Sequence, residues 1–355
     1  MHCSLSNLVI GFSWVPGDEL LHQSPPSALA STAREQNPLR PQLARDEKYA
    51  SAIINAWKDV VSSRSIKSSS SVSAPYVYSC KEDRSSALYG YIYRASPPSQ
   101  LKLDDNSLAT TQNNNNPPLL PGVTLFHTGA GPQDLFLRWK ADSLVNSRDV
   151  FGDGGCIVLI ADILGDDSGW AWNDRVRYEA VRNELLEIDE YGCRRKLIGR
   201  VQAAIDAISS QPGVDQNCIG ALGFCLGGQP ILELAKMKNP SVKVMVTFHG
   251  VFDGVSVGRL DPIEDRSAND VTKYQVLVCT GADDPFVSTD DLDASMTLFR
   301  HSGYQSQLLK FEKTRHGFTN PAQDYNPSDA FAYNEEAHYQ AWSATLSLLK
   351  EMKSG

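Results

Sequence analysis

The chain lacks the long apolar runs of a membrane protein and the basic character of a nucleic-acid-binding protein. Within its 355 residues, no apolar stretch approaches the roughly 18 residues that a membrane-spanning helix needs. Its 33 Lys and Arg are outnumbered by 42 Asp and Glu, which gives a net charge of −9. A nucleic-acid-binding surface needs the opposite excess. We therefore predict neither a membrane nor a nucleic-acid partner.

Cysteine is scarce and irregularly spaced. The seven cysteines are odd in number and include no Cys-x-x-Cys pair, so neither a disulfide framework nor a zinc site is indicated. We predict no metal and no cofactor. The apolar stretch Leu8–Val15 has no Lys or Arg before it. A secretory signal would carry such basic residues there. We predict a cytoplasmic location, with an organelle-targeting leader left open by the Ser- and Ala-rich start.

Two parts of the chain are predicted to lie outside any packed core. Residues 1 to about 45 are rich in Pro, Ser and Gln without apolar periodicity, which favours disorder; a short helix is predicted at Lys48–Val61. Four consecutive asparagines indicate a surface loop at about 104–118. We predict a largely irregular extension over 1–75 and one domain over 76–355.

From Val123 onward, apolar runs typical of strands buried on both faces alternate with amphipathic helices such as Leu197–Ile208. A predicted hairpin, Tyr76–Tyr78 and Leu88–Tyr93, precedes them. The candidate strands are Thr124–Phe126, Cys156–Ile160, Ile219–Phe224, Val242–Phe248, Val276–Cys279 and Gln307–Phe311. A final helix is predicted at about Ala332–Met352. This alternation predicts an α/β fold with a mostly parallel sheet, helices on both faces, and functional residues at the carboxyl ends of strands.

A candidate nucleophile, Cys225, follows one of these strands. It occupies the centre of Gly223-Phe224-Cys225-Leu226-Gly227, with a helix expected from near Pro230. This is the Gly-x-nucleophile-x-Gly turn, in which the glycines make room for a strained backbone. The helix amino terminus favours a thiolate, and the N–H of Leu226 can face an oxyanion. A buried cysteine in a glycine-rich turn would share the pattern, but the flanking strand and helix favour the nucleophile.

An acid and a base follow in the order that such a nucleophile requires. Asp283 and Asp284 come after the strand Val276–Cys279, and His316 comes after the next strand. His249, also at a strand end, competes as the base. Four histidines lie in tail or helical contexts and are predicted to be surface residues: His2, His22, His301 and His338.

The loop after the first core strand is the candidate for the second half of an oxyanion hole. It reads His127-Thr128-Gly129-Ala130-Gly131, and we expect the N–H of Thr128 or Gly129 to donate to the oxyanion. His316 would deprotonate Cys225, and the thiolate would attack an ester or lactone carbonyl to give a thioester that water hydrolyses. The predicted partner is a small-molecule ester or lactone, bound by a monomer or a homodimer.

From about residue 87 to its end, the chain resembles the dienelactone hydrolase family. The resemblance rests on four motifs: Gly90-Tyr91, Gly223-Phe224-Cys225-Leu226-Gly227-Gly228, Gly281-Ala282-Asp283-Asp284-Pro285-Phe286-Val287 and His316-Gly317-Phe318. A cysteine nucleophile in this turn is characteristic of that family. The resemblance implies the α/β-hydrolase fold and hydrolysis of carboxylic esters, lactones or thioesters. It also implies that Asp284, not Asp283, orients the base.

Two positions depart from the family pattern. Thr128 stands where family members that act on dienelactones carry a Glu, and Asn320 stands where they carry the Arg that holds a substrate carboxylate. The resemblance therefore implies hydrolase chemistry without a particular substrate.

Two other functions remain open at this point. The domain could be an inactive binding module, which hydrolysis of a simple ester would exclude. Alternatively, Cys225 could be a redox-sensing thiol, which inactivation by peroxide and recovery with a thiol reductant would favour.

The composition of the amino-terminal segment leads to a first prediction. A chain that begins near Gln42 should keep its melting temperature and kcat, because residues 1 to about 45 lack the apolar periodicity needed to add to a core. Thermal unfolding and an ester assay, compared with the full chain, test this. A fall in either quantity would mean that the segment packs against the domain.

Overall fold

The computed structural model describes residues 71–81, 87–95, 118–165, 175–255, 274–326 and 328–354. The predicted helix at Lys48–Val61 and nearly all of the predicted loop at about 104–118 lie outside these residues. So does most of the predicted extension over 1–75.

Eight strands in the described part of the chain form one sheet. They are β1 (Ser71–Ser79), β2 (Ala87–Ala95), β3 (Leu120–Phe126), β4 (Ile157–Ala161), β5 (Val214–Phe224), β6 (Val242–Phe248), β7 (Gln275–Gly281) and β8 (Gln305–Phe311). Their spatial order is β1-β2-β4-β3-β5-β6-β7-β8. Strand β2 runs antiparallel to both of its neighbours, and every other pair is parallel. The predicted α/β architecture with a mostly parallel sheet is confirmed.

Helices cover both faces of the sheet. The described α-helices are α1 (Leu135–Val145), α2 (Arg148–Phe151), α3 (Arg175–Leu185), α4 (Arg195–Ser209), α5 (Gly228–Met237), α6 (Thr289–His301) and α7 (Glu335–Ser354). Residues of α3 to α6 share one hydrophobic core with one face, and residues of α1, α2 and α7 share a second core with the other. Neighbouring strand residues divide between the cores: Ala221 lies in the first and Leu222 in the second. This division explains why the central strands are apolar on both sides.

The structure differs from the sequence expectations at element ends and on one helix. Strand β1 begins at Ser71, ahead of the predicted Tyr76, because the whole segment pairs with β2 up to Ala95. The prediction that His338 is a surface residue is wrong, because it is 2% exposed. Its Nε2 lies 2.6 Å from Nζ of the buried Lys140 in α1. Contact between two helices, rather than a pattern within one, buries this histidine.

None of the helices in the described ranges combines the length and apolar character needed to span a bilayer.

The end of β7 approaches the loop that carries His316 closely enough to require a glycine. An ideal Cβ at Gly281 would lie 2.0 Å from the carbonyl oxygen of Thr314, a backbone atom that cannot rotate away. Gly154 is a matched control, because its Cβ would meet only the flexible end of the Leu120 side chain.

We therefore predict that Gly281→Ala lowers the free energy of unfolding by about 1–3 kcal/mol or more, as overpacking does. Gly154→Ala should change it by less than about 1 kcal/mol. Urea unfolding measures both. Equal stability of the two variants would contradict the close approach of these backbones.

Candidate active site

Cys225 lies in a sharp turn between β5 and α5. Its φ of 53° falls in the left-handed region, which non-glycine residues rarely adopt and which often marks functional strain. An ideal Cβ at Gly223 would lie 2.1 Å from the carbonyl oxygen of Gly227, so this turn excludes any side chain there. A 3₁₀ turn, Cys225–Gly227, leads directly into α5 at Gly228, two residues before the expected start. The predicted turn geometry is present, with Cys225 itself only 4% exposed.

The loop after β3 lies against this turn. Phe126 pairs with Gly223 in neighbouring parallel strands, and an ideal Cβ at Gly227 would lie 2.4 Å from the Phe126 carbonyl oxygen. The next residues, including Thr128 and Gly129, therefore leave the sheet beside the nucleophile. Leu226 is in the first turn of a helix, where N–H groups have no intrahelical acceptor. The geometry brings the three predicted oxyanion donors to one edge of the sheet.

His127, a residue whose role the sequence did not indicate, fixes the start of that loop. Its Nε2 accepts a hydrogen bond from the N–H of Ile163 at 3.0 Å, so Nδ1 carries the proton and donates to the Thr128 carbonyl at 2.5 Å. The Thr128 hydroxyl accepts from the N–H of Ala130 at 3.1 Å. Thr128 is thus a turn-forming residue and offers no carboxylate to Cys225.

Asp284 and His316 form a buried hydrogen-bonded pair. Oδ2 of Asp284 accepts from Nδ1 of His316 at 2.7 Å, and Oδ1 accepts from the N–H of Phe286 at 2.9 Å. Asp284 is 6% and His316 1% exposed, whereas the neighbouring Asp283 is exposed. Of the two adjacent aspartates, only Asp284 is bonded to the imidazole.

The pKa of His316 depends on Cys225 as well as on Asp284. Burial by itself would lower the pKa of His316, but the Asp284 carboxylate, which accepts a hydrogen bond from the ring, and the nearby Cys225 raise it to about 10. Nε2 of His316 makes no nitrogen or oxygen hydrogen bond within the described residues, which leaves it available to the sulfur. Phe286 and Phe331 pack edge-on against the ring, with centroids 4.8 and 5.2 Å away. The His316 ring is therefore enclosed by aromatic side chains and almost fully shielded from solvent.

His249, the competing base, lies next to this pair without contacting Asp284 through a hydrogen bond. Its ring centroid is 5.0 Å from that of His316, and its Nε2 is 3.0 Å from the Thr319 hydroxyl. Burial and the neighbouring His316 hold the pKa of His249 well below its usual value. A neutral imidazole bonded to a hydroxyl is a weaker candidate for the base than His316.

Asn320 is buried near this site but supplies no charge. Its Oδ1 accepts from the N–H of Ala322 at 3.0 Å and caps the short 3₁₀ helix Pro321–Tyr325. Where the family pattern has an arginine, this chain therefore has an uncharged asparagine. Its side chain caps a helix instead of offering a positive charge to a substrate.

Sequence reasoning missed a set of charged and polar residues behind the nucleophile turn. Arg182 in α3 forms an ion pair with Asp253, which also contacts Gln229 in α5. Arg194 donates to Gln229 and, at 2.9 Å, to the Asp253 carbonyl. These four residues come from four separate segments without a shared motif, so no local pattern could have identified them.

Comparisons with known proteins agree with this geometry. The sequence profile of the dienelactone hydrolase family matches residues 113–353. The chain belongs to the dienelactone hydrolase family. The predicted resemblance is confirmed, and with it a hydrolase of the α/β-hydrolase fold.

Three known proteins are similar to this chain. A probable 2-oxo-3-(5-oxofuran-2-ylidene)propanoate lactonase of Bradyrhizobium sp is 25% identical over 196 residues, which are 55% of this chain and 73% of that protein. An uncharacterised protein of Caenorhabditis elegans is 30% identical over 156 residues, 44% of this chain and 94% of its own. The crystal structure of a dienelactone hydrolase-like promiscuous phosphotriesterase from metagenomic libraries superposes with a TM-score of 0.57. It is 27% identical and covers 80% of this chain and 99% of its own.

The Asp284–His316 hydrogen bond leads to a prediction that separates two adjacent residues. Asp284→Asn should lower kcat well over tenfold, because an amide can hold the imidazole in the wrong tautomer; such a change cost ~10⁴ in a serine protease. We expect a smaller loss here, since a thiol ionises more readily than a hydroxyl. Asp283→Asn, the matched control, should stay within a few-fold.

Steady-state kinetics and melting temperatures of both variants provide the measurement. The reverse order of effects would assign the acid to Asp283. Full activity of both would leave Cys225 and His316 to act as a dyad or not at all.

Proposed function

We propose that this protein hydrolyses carboxylic esters or lactones, with Cys225 as nucleophile, His316 as acid and base, and Asp284 as the residue that orients His316. The observation that carries the proposal is the 2.7 Å hydrogen bond between Asp284 and His316, together with the coupling of His316 to a cysteine in a left-handed turn. Thioesters belong to the same class of substrates.

In the first half-reaction, the thiolate of Cys225 attacks the substrate carbonyl carbon and forms a carbon–sulfur bond. The carbonyl oxygen becomes an oxyanion, which the N–H groups of Leu226 and of Thr128 or Gly129 stabilise. As the tetrahedral intermediate collapses, the carbon–oxygen bond to the leaving group breaks, and Nε2 of His316 gives its proton to the departing alkoxide. The products are an alcohol and a thioester on Cys225.

The raised pKa of His316 suits both halves of the cycle. With the thiolate present, the imidazolium persists at neutral pH and can act as the acid. Formation of the neutral thioester removes one of the causes that raise the pKa of His316, so the neutral imidazole becomes more populated. It can then take a proton from water, whose oxygen attacks the thioester and releases the carboxylic acid and the thiolate.

A panel of p-nitrophenyl esters, lactones and thioesters, with Cys225→Ala as control, tests the proposal. Hydrolysis by the wild type and its loss in the variant would support it. A phosphotriester belongs in the panel, because one relative is described as a phosphotriesterase. If no compound is hydrolysed, the alternatives of an inactive binding module and of a redox-sensing thiol at Cys225 become the better explanations.

We also predict that alkylation of Cys225, and of no other cysteine, abolishes hydrolysis. Cys156 and Cys279 are buried, and their burial raises the pKa of each thiol, so they should react slowly. Cys193 is exposed and should react without loss of activity.

Limiting iodoacetamide followed by mass-spectrometric mapping correlates each modified thiol with residual activity. Cys193→Ser serves as the control for the exposed thiol. Full activity after quantitative alkylation of Cys225 would exclude it as the nucleophile.

A further inference from the structure

An ion pair beside the nucleophile turn, Arg182–Asp253, takes no part in the proposed hydrolysis. Nη2 of Arg182 donates to both carboxylate oxygens of Asp253, at 2.9 and 2.8 Å. The Arg182 side chain is 14% exposed and the Asp253 side chain 38%. The pair is therefore partly shielded from water and still accessible to a solute.

Hydrogen bonds hold this pair against the segment that carries Cys225. The N–H of Val251 donates to the Cys225 carbonyl at 3.0 Å. Gln229, in the first turn of α5, donates from Nε2 to the Val251 carbonyl at 3.0 Å and to Oδ1 of Asp253 at 2.9 Å. The loop with Asp253 is thus bound both to the backbone of the nucleophile and to its helix.

The Arg182 guanidinium also interacts electrostatically with Cys225. Burial lowers the pKa of Arg182, but the Asp253 carboxylate, then Tyr178 and, as the smallest contribution, Cys225 outweigh burial and raise that pKa. An unmatched guanidinium beside the nucleophile turn would attract a substrate carboxylate. Here the guanidinium is already matched by Asp253, and an anionic acyl group would meet the half-exposed carboxylate as a like charge, which disfavours binding.

We propose that Asp253 is a specificity-determining residue, which neutralises Arg182 beside Cys225 so that the site favours uncharged esters and lactones over those that carry a carboxylate. This inference rests on the proposed ester hydrolysis. Asn320 is consistent with it, because an uncharged side chain stands where the family pattern has a carboxylate-binding arginine. Rejection by a like charge is a common source of specificity.

The test compares kcat/KM for mono-4-nitrophenyl adipate, which carries a free carboxylate, with that for 4-nitrophenyl hexanoate, whose acyl chain has the same length. Asp253→Asn keeps the side-chain shape and an oxygen acceptor for Gln229 but leaves Arg182 uncompensated. We expect the anionic-to-neutral ratio to rise about tenfold, mainly through KM, and the gain to shrink at high salt. Adding Arg182→Gln to Asp253→Asn should return the ratio to the wild-type value.

Two further variants make the result specific. Asp206→Asn breaks the exposed Lys81–Asp206 pair near the carboxyl end of α4, which has no contact with Arg182 or Asp253, and should leave the ratio unchanged. Arg182→Gln alone leaves Asp253 uncompensated, so the ratio should fall below that of the wild type even if Asp253→Asn does not fold. An unchanged ratio in folded Asp253→Asn or Arg182→Gln would overturn the inference while hydrolysis of the hexanoate stands. Failure of the wild type to cleave either ester would instead overturn the proposed function.

Discussion

The close approach of two backbones, at the carboxyl ends of β3 and β5, is the constraint around which the site is arranged. Only a hydrogen atom fits between Gly227 and the Phe126 carbonyl, where a Cβ would lie 2.4 Å from the oxygen. This contact sets the loop after β3 beside the nucleophile turn. The amino terminus of α5 follows the same turn, so that backbone segments from two parts of the chain meet beside Cys225.

Much of this arrangement could be predicted because its signals are local. A buried parallel strand is a short apolar run, and a Gly-x-Cys-x-Gly turn needs its glycines within two residues of the nucleophile. Strand ends that are neighbours in a parallel sheet meet at one edge. The sequence therefore indicated that Asp284 and His316 would lie close together, and they are hydrogen-bonded in the structure. Their catalytic roles remain predictions.

What could not be predicted depends on contacts between distant segments. The burial of His338 requires the Lys140 side chain of another helix, and the Arg182–Asp253 pair joins positions 71 apart in sequence. An exposed arginine and an arginine held beside the active site look alike in a single sequence. Likewise, the start of β1 is a strand because of its partner: Ser71 to Ser73 pair with Tyr93 to Ala95, and two of the three residues are serines, which carry little β-strand signal.

The order of strands in the sheet has a consequence for the newly synthesised chain. Strand β4 lies between β2 and β3, so the hairpin of β1 and β2 cannot join the sheet until Ala161 has left the ribosome. His316 follows β8, the last strand to be made. Before that point, the apolar faces of β5, β6 and β7 exist without their full helical cover. Such intermediates expose strand edges and aggregate readily. We therefore expect the nascent chain to depend most on chaperones while its carboxyl-terminal third is being translated.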